Sequence, residues 1–106
     1  GFRGDLLPNQ LIMSSKGREW LRYESNGNLV FYKKSGSLDL ALSNQIWSTN
    51  TEGTPPGVVR MQGDGNLAIY DNNSNIVFSS GTSGFSGAGL YIQGDGNLVI
   101  KLVGGL

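Results

Sequence analysis

The sequence predicts an all-β domain made of three similar units with pseudo-threefold symmetry. The first observation is a ten-residue segment that occurs three times without gaps, at 23–32, 61–70 and 92–101. The second is composition, because 17 of the 106 residues are glycine, and Gly, Asn and Ser separate short apolar stretches. Helical periodicity is hard to find anywhere, so short strands joined by tight turns are the predicted elements.

The three copies share Gly-Asn-Leu followed by two aliphatic or aromatic residues. One asparagine holds the same place in each copy: Asn28, Asn66 and Asn97. An insertion at 33–44, rich in Ser, Gly and Lys, explains the longer spacing between the first two copies and predicts a loop. A second similarity follows these two copies, because 46–53 parallels 77–84. No such segment follows the third copy.

Length and composition exclude several classes of function. A chain of 106 residues with zero net charge predicts a single domain over residues 1–106, without the basic surplus that nucleic acids or anionic membranes attract. Cysteine and histidine are both absent, which excludes disulfides, thiol nucleophiles, His-based triads and the usual zinc sites. No apolar run approaches the roughly 20 residues that span a bilayer.

Strand alternation divides each repeat into two faces. In the second repeat Met61, Leu67 and Ile69 form an apolar face that predicts core. The opposite face carries a row of carboxylate and amide groups, one small apolar residue and a tyrosine or lysine. In chain order these rows are Glu24, Asn26, Asn28, Val30 and Tyr32; Gln62, Asp64, Asn66, Ala68 and Tyr70; and Gln93, Asp95, Asn97, Val99 and Lys101.

One such row, taken alone, is better explained by a solvated strand face with Asp-Gly or Asn-Gly turns. Three copies of the same residue types at the same two-residue spacing favour a binding surface instead. Carboxylates accept hydrogen bonds and amides both donate and accept them, as sugar hydroxyls do. The rows therefore predict recognition of a polyol.

The pattern Gln-x-Asp-x-Asn-x-Val-x-Tyr, repeated three times, resembles the monocot mannose-binding lectins, also called bulb-type or B-type lectins. The resemblance extends to Trp-Ser-Thr-Asn-Thr at 47–51 and Leu-Leu-Pro-Asn-Gln-Leu at 6–11. It implies a β-prism of the second type, with three four-stranded antiparallel subdomains around central aromatic side chains. Trp47, Phe78 and Trp20 are the expected aromatics. Plant members usually carry a disulfide, so a cysteine-free chain implies a relative from outside the plants or a version from a reducing compartment.

The resemblance also implies metal-independent binding of mannose, in which the Gln, Asp, Asn and Tyr contact hydroxyls and the Val packs on the sugar. The second repeat is the most complete, and Ala68 in place of Val is expected to weaken binding rather than abolish it. The third repeat has Lys101 in place of Tyr. The first repeat departs most, because Glu24 replaces Gln and Asn26 replaces Asp. The expected order of site quality is second, third, first.

The predicted function is a lectin that recognises mannose or mannosylated glycans through weak, multivalent sites, with no cofactor, no metal and no catalysis. The alternative is a β-prism scaffold with decayed sugar sites that acts in protein–protein interaction or as a bacteriocin-like module. Neither nucleic acid nor membrane insertion is expected. A small domain without disulfides favours a homo-oligomer. An extracellular or secreted location is favoured, and the absence of cysteine leaves a cytoplasmic one open.

Overall fold

The structure, a computed structural model, describes residues 2–34 and 43–102. These residues form ten β-strands and no helix. In chain order the strands are β1 (Gly4–Leu6), β2 (Leu11–Met13), β3 (Glu19–Tyr23), β4 (Leu29–Lys34), β5 (Ser43–Ser48), β6 (Pro56–Met61), β7 (Leu67–Asp71), β8 (Ile76–Ser79), β9 (Gly89–Ile92) and β10 (Leu98–Lys101). Within this part of the chain, no helix could cross a membrane. Residues 35–42 of the loop predicted at 33–44 lie outside the described residues.

The strands form three antiparallel sheets, one for each sequence repeat. The first sheet has the order β2-β3-β4-β5, and the second has the order β1-β6-β7-β8. In the third sheet the described residues supply β9 and β10, and the backbone of Phe2 bridges to Leu90 at its edge. The predicted all-β architecture with three related units is confirmed.

The inner faces of the sheets meet in one hydrophobic core. Its largest fully buried side chain is Tyr23, which packs among aliphatic side chains from all three sheets. The remaining buried members are Leu6, Leu21, Leu29, Phe31, Val59, Met61, Leu67, Ile69 and Leu90. The Tyr23 hydroxyl accepts a 3.0 Å hydrogen bond from the Gly57 amide, and burial raises the pKa of this phenol. The apolar faces predicted from alternation are therefore the core.

Two aromatic side chains meet between the sheets, and a third expected one does not join them. Trp47 and Phe78 pack edge to face with 6.2 Å between ring centroids. Trp20 lies on the outer face of the first sheet, where its ring stacks on Tyr32 at 5.5 Å. The expectation of a central Trp20 is wrong, because Leu21 and Tyr23 on β3 alternate inward and leave Trp20 on the opposite side.

Candidate functional site

Each outer-face row is built on one β-hairpin. In the second repeat, β6 ends at Met61, the turn runs over 62–66, and β7 carries the rest of the row. The Gln62 amide donates to the Asn66 carbonyl at 2.8 Å, and the Asn66 amide donates to the Asp64 Oδ1 atom at 2.9 Å. The Asp64 side chain therefore fixes the turn with one oxygen, and its other oxygen has no partner in residues 2–34 and 43–102.

The same turn occurs in the other two repeats. The amide of Asn97 donates to Asp95 Oδ1 at 3.0 Å, and the amide of Asn28 donates to Asn26 Oδ1, also at 3.0 Å. Because either an aspartate or an asparagine holds the turn, the choice between them decides the charge of the row and not the backbone geometry.

A glycine in the left-handed region makes the turn possible. Gly65 has a φ of +93°, and a Cβ atom built on it would lie 2.4 Å from the Phe85 carbonyl oxygen. Gly27 in the first repeat has a φ of +90°, and a Cβ atom built on it would lie 2.2 Å from the Thr54 carbonyl oxygen. The Gly-Asn pair of the motif is therefore required by the backbone as well as by the polar face.

Asn66 connects the hairpin to the loop that follows β8. Its side chain is nearly buried, and its Oδ1 atom accepts hydrogen bonds from Ser79 Oγ at 3.1 Å, Ser80 Oγ at 3.0 Å and the Thr82 amide at 3.3 Å. Thr82 Oγ1 also donates to the Gly65 carbonyl at 2.7 Å. The side-chain oxygen of Asn66 is thus used in hydrogen bonds within the fold, while its Nδ2 atom has no partner among the described residues.

Asn28 is held in the same way in the first repeat, with one difference. Its Oδ1 accepts from Thr49 Oγ1 and from the Thr51 amide, each at 3.2 Å. Its Nδ2 atom, however, donates to Glu52 Oε2 at 3.1 Å. In the second repeat the residue in the place of Glu52 is Ser83, whose shorter side chain carries no carboxylate, and Asn66 Nδ2 has no such bond in the described part of the chain. In the first repeat, one of the two N–H donors of this amide is therefore already occupied.

The third repeat lacks this support. No segment like 77–84 follows it in the described residues, and Asn97 is exposed. Its Nδ2 atom donates to Asp95 Oδ2 at 3.2 Å.

In two repeats a hydrogen bond joins the first and last members of the row, and the small apolar residue of the row is buried. Gln62 Nε2 donates to Tyr70 Oη at 2.7 Å, and Ala68 is fully buried. In the first repeat the Tyr32 hydroxyl donates to Glu24, and Val30 is 1% exposed. Burial and this carboxylate raise the pKa of Tyr32 to about 12.

No such bond is found in the third repeat within the described residues, and Val99 is accessible to solvent. Lys101 instead lies with its Nζ atom 5.1 Å from the centroid of the Tyr91 ring. Here the tyrosine comes from β9 and the cation from β10.

An arginine accompanies the tyrosine in the first two rows. Arg60, opposite Ala68 on β6, lies 5.8 Å from the centroid of the Tyr70 ring. Its guanidinium forms an ion pair with Asp5 of β1 through bonds of 2.8 and 3.1 Å, and this pair lowers the pKa of Asp5. Arg22 occupies the same place in the first sheet, opposite Val30.

The structure therefore brings each predicted row together on its own hairpin, and it adds groups that the motif did not indicate. These are the Ser/Thr side chains after β5 and β8 and the arginines of β3 and β6. The sequence carried a signal for the first group, since 46–53 and 77–84 align, but nothing in that similarity indicated a contact with the asparagine. No group of three or more acidic, His or Cys side chains that could hold a metal occurs in residues 2–34 and 43–102.

Several solved structures are similar to this chain. A lectin from Marasmius oreades superposes with a TM-score of 0.79 at 28% identity, over 98% of this chain and 81% of that one. The mannose-specific bulb lectin from bluebell, Scilla campanulata, superposes with a TM-score of 0.74 at 28% identity, over 95% of this chain and 82% of that one. The mannose-specific agglutinin from snowdrop (Galanthus nivalis) bulbs, solved with methyl-α-D-mannoside, superposes with a TM-score of 0.69 at 27% identity, over 94% of this chain and 90% of that one.

No protein-family model matches the sequence, and no curated protein matches it by sequence similarity. The likeness is therefore one of structure at modest identity. It confirms the predicted β-prism of the second type, the fold of the bulb-type lectins.

Proposed function

We propose that this protein is a bulb-type lectin that binds mannose or mannose-containing glycans without a metal ion. The observation that carries the proposal is the set of hydrogen-bonding groups left unoccupied on the second hairpin. Solved lectins of the same fold whose names state mannose specificity support the choice of sugar.

The second row offers both acceptors and donors at one place. Asp64 Oδ2 and Gln62 Oε1 are acceptors without partners among the described residues, and Asn66 Nδ2 is a donor without one. Tyr70 accepts from Gln62 and keeps its own proton to donate. Two acceptors and two donors match adjacent hydroxyls of a pyranose, each of which both donates and accepts.

The other two rows are less complete for physical reasons. In the third row Asn97 and Asp95 partly satisfy each other, and no tyrosine stands at position 101. In the first row Asn28 Nδ2 donates a hydrogen bond to Glu52, and the Tyr32 hydroxyl donates its hydrogen bond to Glu24. The proposed order of site strength is therefore second, third, first.

Binding of a single sugar is expected to be weak. A shallow site with a few hydrogen bonds corresponds to a Kd of roughly 1 mM, or about −4 kcal/mol. Two or three such sites on one prism would raise the apparent affinity for a branched glycan by about 10²–10⁴-fold.

The test is mannan binding by the Asp64→Asn and Asp95→Asn variants, alone and together. Asparagine preserves the turn, since Asn26 already makes the same hydrogen bond in the first repeat. The matched control is Asp71→Asn, because Asp71 Oδ1 also holds a turn, through the amides of Asn73 and Asn75, outside any row. We expect the double variant to lose binding and the control to keep it.

Two outcomes separate the proposal from the alternatives. Mannan binding that survives both substitutions refutes the site assignment. A wild-type protein with no response to mannose, and with growth inhibition of a bacterium, favours a scaffold with decayed sites. The solved structures of similar fold are lectins rather than enzymes, and we propose no catalysis.

We also infer that the prism self-associates through its third sheet. In the first two sheets β4 and β7 are each covered by a further strand, whereas β10 pairs only with β9 in the described residues. Beside β10 lies an open cavity of about 560 Å³ lined by Trp47, Phe78, Leu98 and Ile100. An edge that has no partner in the described residues, next to apolar side chains that are at least partly exposed, favours a second copy. Light scattering after size exclusion should show a dimer or larger, and a monomer at every concentration would contradict this inference.

A further inference from the structure

We propose that the third site selects hexoses that carry an acidic group, such as a phosphate or a carboxylate, and that Lys101 is the residue that selects them. The inference rests on the proposed sugar site of the third hairpin and adds its ligand class. It comes from comparing the cation and the tyrosine that lie together on each outer face.

The strand pairing shows that the third repeat exchanges these two residues. Arg60 lies opposite Ala68, and Tyr91 lies opposite Val99, so Tyr91 stands where the first two sheets have arginine. Lys101 stands at the motif position of Tyr70. The cation has therefore moved from the middle strand to the last position of the sugar-binding row.

The exchange is accommodated by a glycine. Gly89 pairs with Lys101, and the Tyr91 ring lies over it, so that a Cβ atom built at Gly89 would lie 3.3 Å from Tyr91 Cε2. The equivalent residue opposite Tyr70 is Val58, which would occupy this space. The ring can therefore lie beside Lys101, where it holds the ammonium group through a cation–π contact.

A ligand can reach the charge of Lys101, whereas the charge of Arg60 is already compensated. Arg60 is neutralised by Asp5 through two hydrogen bonds. Among the described residues the Arg60–Asp5 pair is the only salt bridge, so Lys101 faces solvent without an anionic partner. Asp95, the carboxylate of the same row, makes its hydrogen bonds to Asn97 at the opposite end of the hairpin.

The spacing of the row sets the orientation of the ligand. Asn97 and Lys101 are four residues apart on an extended strand, or about 13 Å. A hexose held at Asn97 and Asp95 would extend over Val99 and direct its far end to Lys101. An acidic group at that end would meet the ammonium and stay clear of the Asp95 carboxylate.

The experiment is a site-resolved NMR titration of the whole chain with mannose, mannose 6-phosphate and mannuronate, which separates phosphate from carboxylate. The side-chain amide signals of Gln93 and Gln62 report the third and second sites in the same sample. At low ionic strength, we expect the Kd measured from the Gln93 signal to be about two- to fivefold lower for the acidic sugars than for mannose. High salt should remove the preference, and Gln62 should show none.

Two variants make the test specific. Lys101→Met keeps the apolar stem without the charge, and Lys101→Tyr restores the motif residue. Both should bring the Kd values for acidic sugars and for mannose at Gln93 to the same level, whatever their effect on the affinity for mannose itself. The inference would be overturned if the wild type bound acidic sugars and mannose equally well at Gln93, or if Lys101→Met kept the preference for acidic sugars. Either result would leave the proposed lectin function standing. A silent Gln62 with a responsive Gln93 would instead count against the proposed second site alone.

Discussion

Restoring the motif in the first repeat should create a sugar site where the structure shows a closed one. The perturbation is the triple variant Glu24→Gln, Asn26→Asp and Glu52→Ser. Gln at position 24 can donate to Tyr32 as Gln62 does to Tyr70, which releases the phenol proton. Asp at position 26 supplies an unoccupied carboxylate oxygen, and loss of Glu52 releases Asn28 Nδ2, which it holds at 3.1 Å.

The effect of Glu52→Ser on the affinity for mannose can be worked out from this contact. One hydrogen bond contributes about 0.5–1.5 kcal/mol. The double variant that keeps Glu52 should therefore bind mannose about two- to tenfold more weakly at the first site than the triple variant does. Neither should disturb the fold, because the turn accepts Asp or Asn equally and Asn28 keeps the bonds from Thr49 and Thr51.

The assay is an NMR titration with methyl α-mannoside that follows the side-chain amides of Asn28 and of Gln62, which are present in the wild type and in both variants. We expect the amide of Asn28 to respond in the triple variant, more weakly in the double variant and not in the wild type. A triple variant in which the Asn28 amide stays silent while Gln62 responds would refute the argument that these two contacts close the first site.

Two further predictions concern stability and titration. Thr82→Val should lower the free energy of unfolding by about 1–3 kcal/mol in denaturant titration, because it removes the hydroxyl that donates to Gly65, and Thr82→Ser should restore most of it. An unchanged Thr82→Val midpoint would contradict a structural role for this loop. Alkaline absorbance titration should show the Tyr32 phenol ionising near pH 12, and Glu24→Gln should lower that value. Because the unfolded phenol titrates at 10.0, Tyr32 favours the folded state below that pH, and this contribution should disappear between pH 10.0 and about 12. A titration of Tyr32 near 10 in the wild type would show that its burial and its contact with Glu24 are not formed.

Much of the fold could be predicted from the sequence, because the patterns that determine the strands and hairpins lie within short segments of the chain. Alternation within each copy placed Met61, Leu67 and Ile69 in the core, and the repeated Gly-Asn pair located the hairpins. Trp20 was misplaced because aromatic character alone does not indicate a face, whereas its alternation with the inward-facing Leu21 and Tyr23 does.

The site was only partly predictable because its supporting contacts cross long stretches of chain. Asn66 meets Ser80, 14 residues later, and Arg60 meets Asp5 across 55 residues. These pairings depend on which strands become neighbours, and a repeat alignment does not contain that information. The motif identified the groups that could face a sugar, and the structure shows which of their atoms the fold already uses.

The central claim is that the second hairpin binds mannose through the atoms that the fold leaves unoccupied. A crystal structure of the protein with methyl α-mannoside tests it most directly. We predict the sugar within hydrogen-bond distance of Asp64 Oδ2 and Asn66 Nδ2, with the bonds from Ser80 and Thr82 to Asn66 intact. A mannoside bound elsewhere on the prism, with the second hairpin empty, would contradict it.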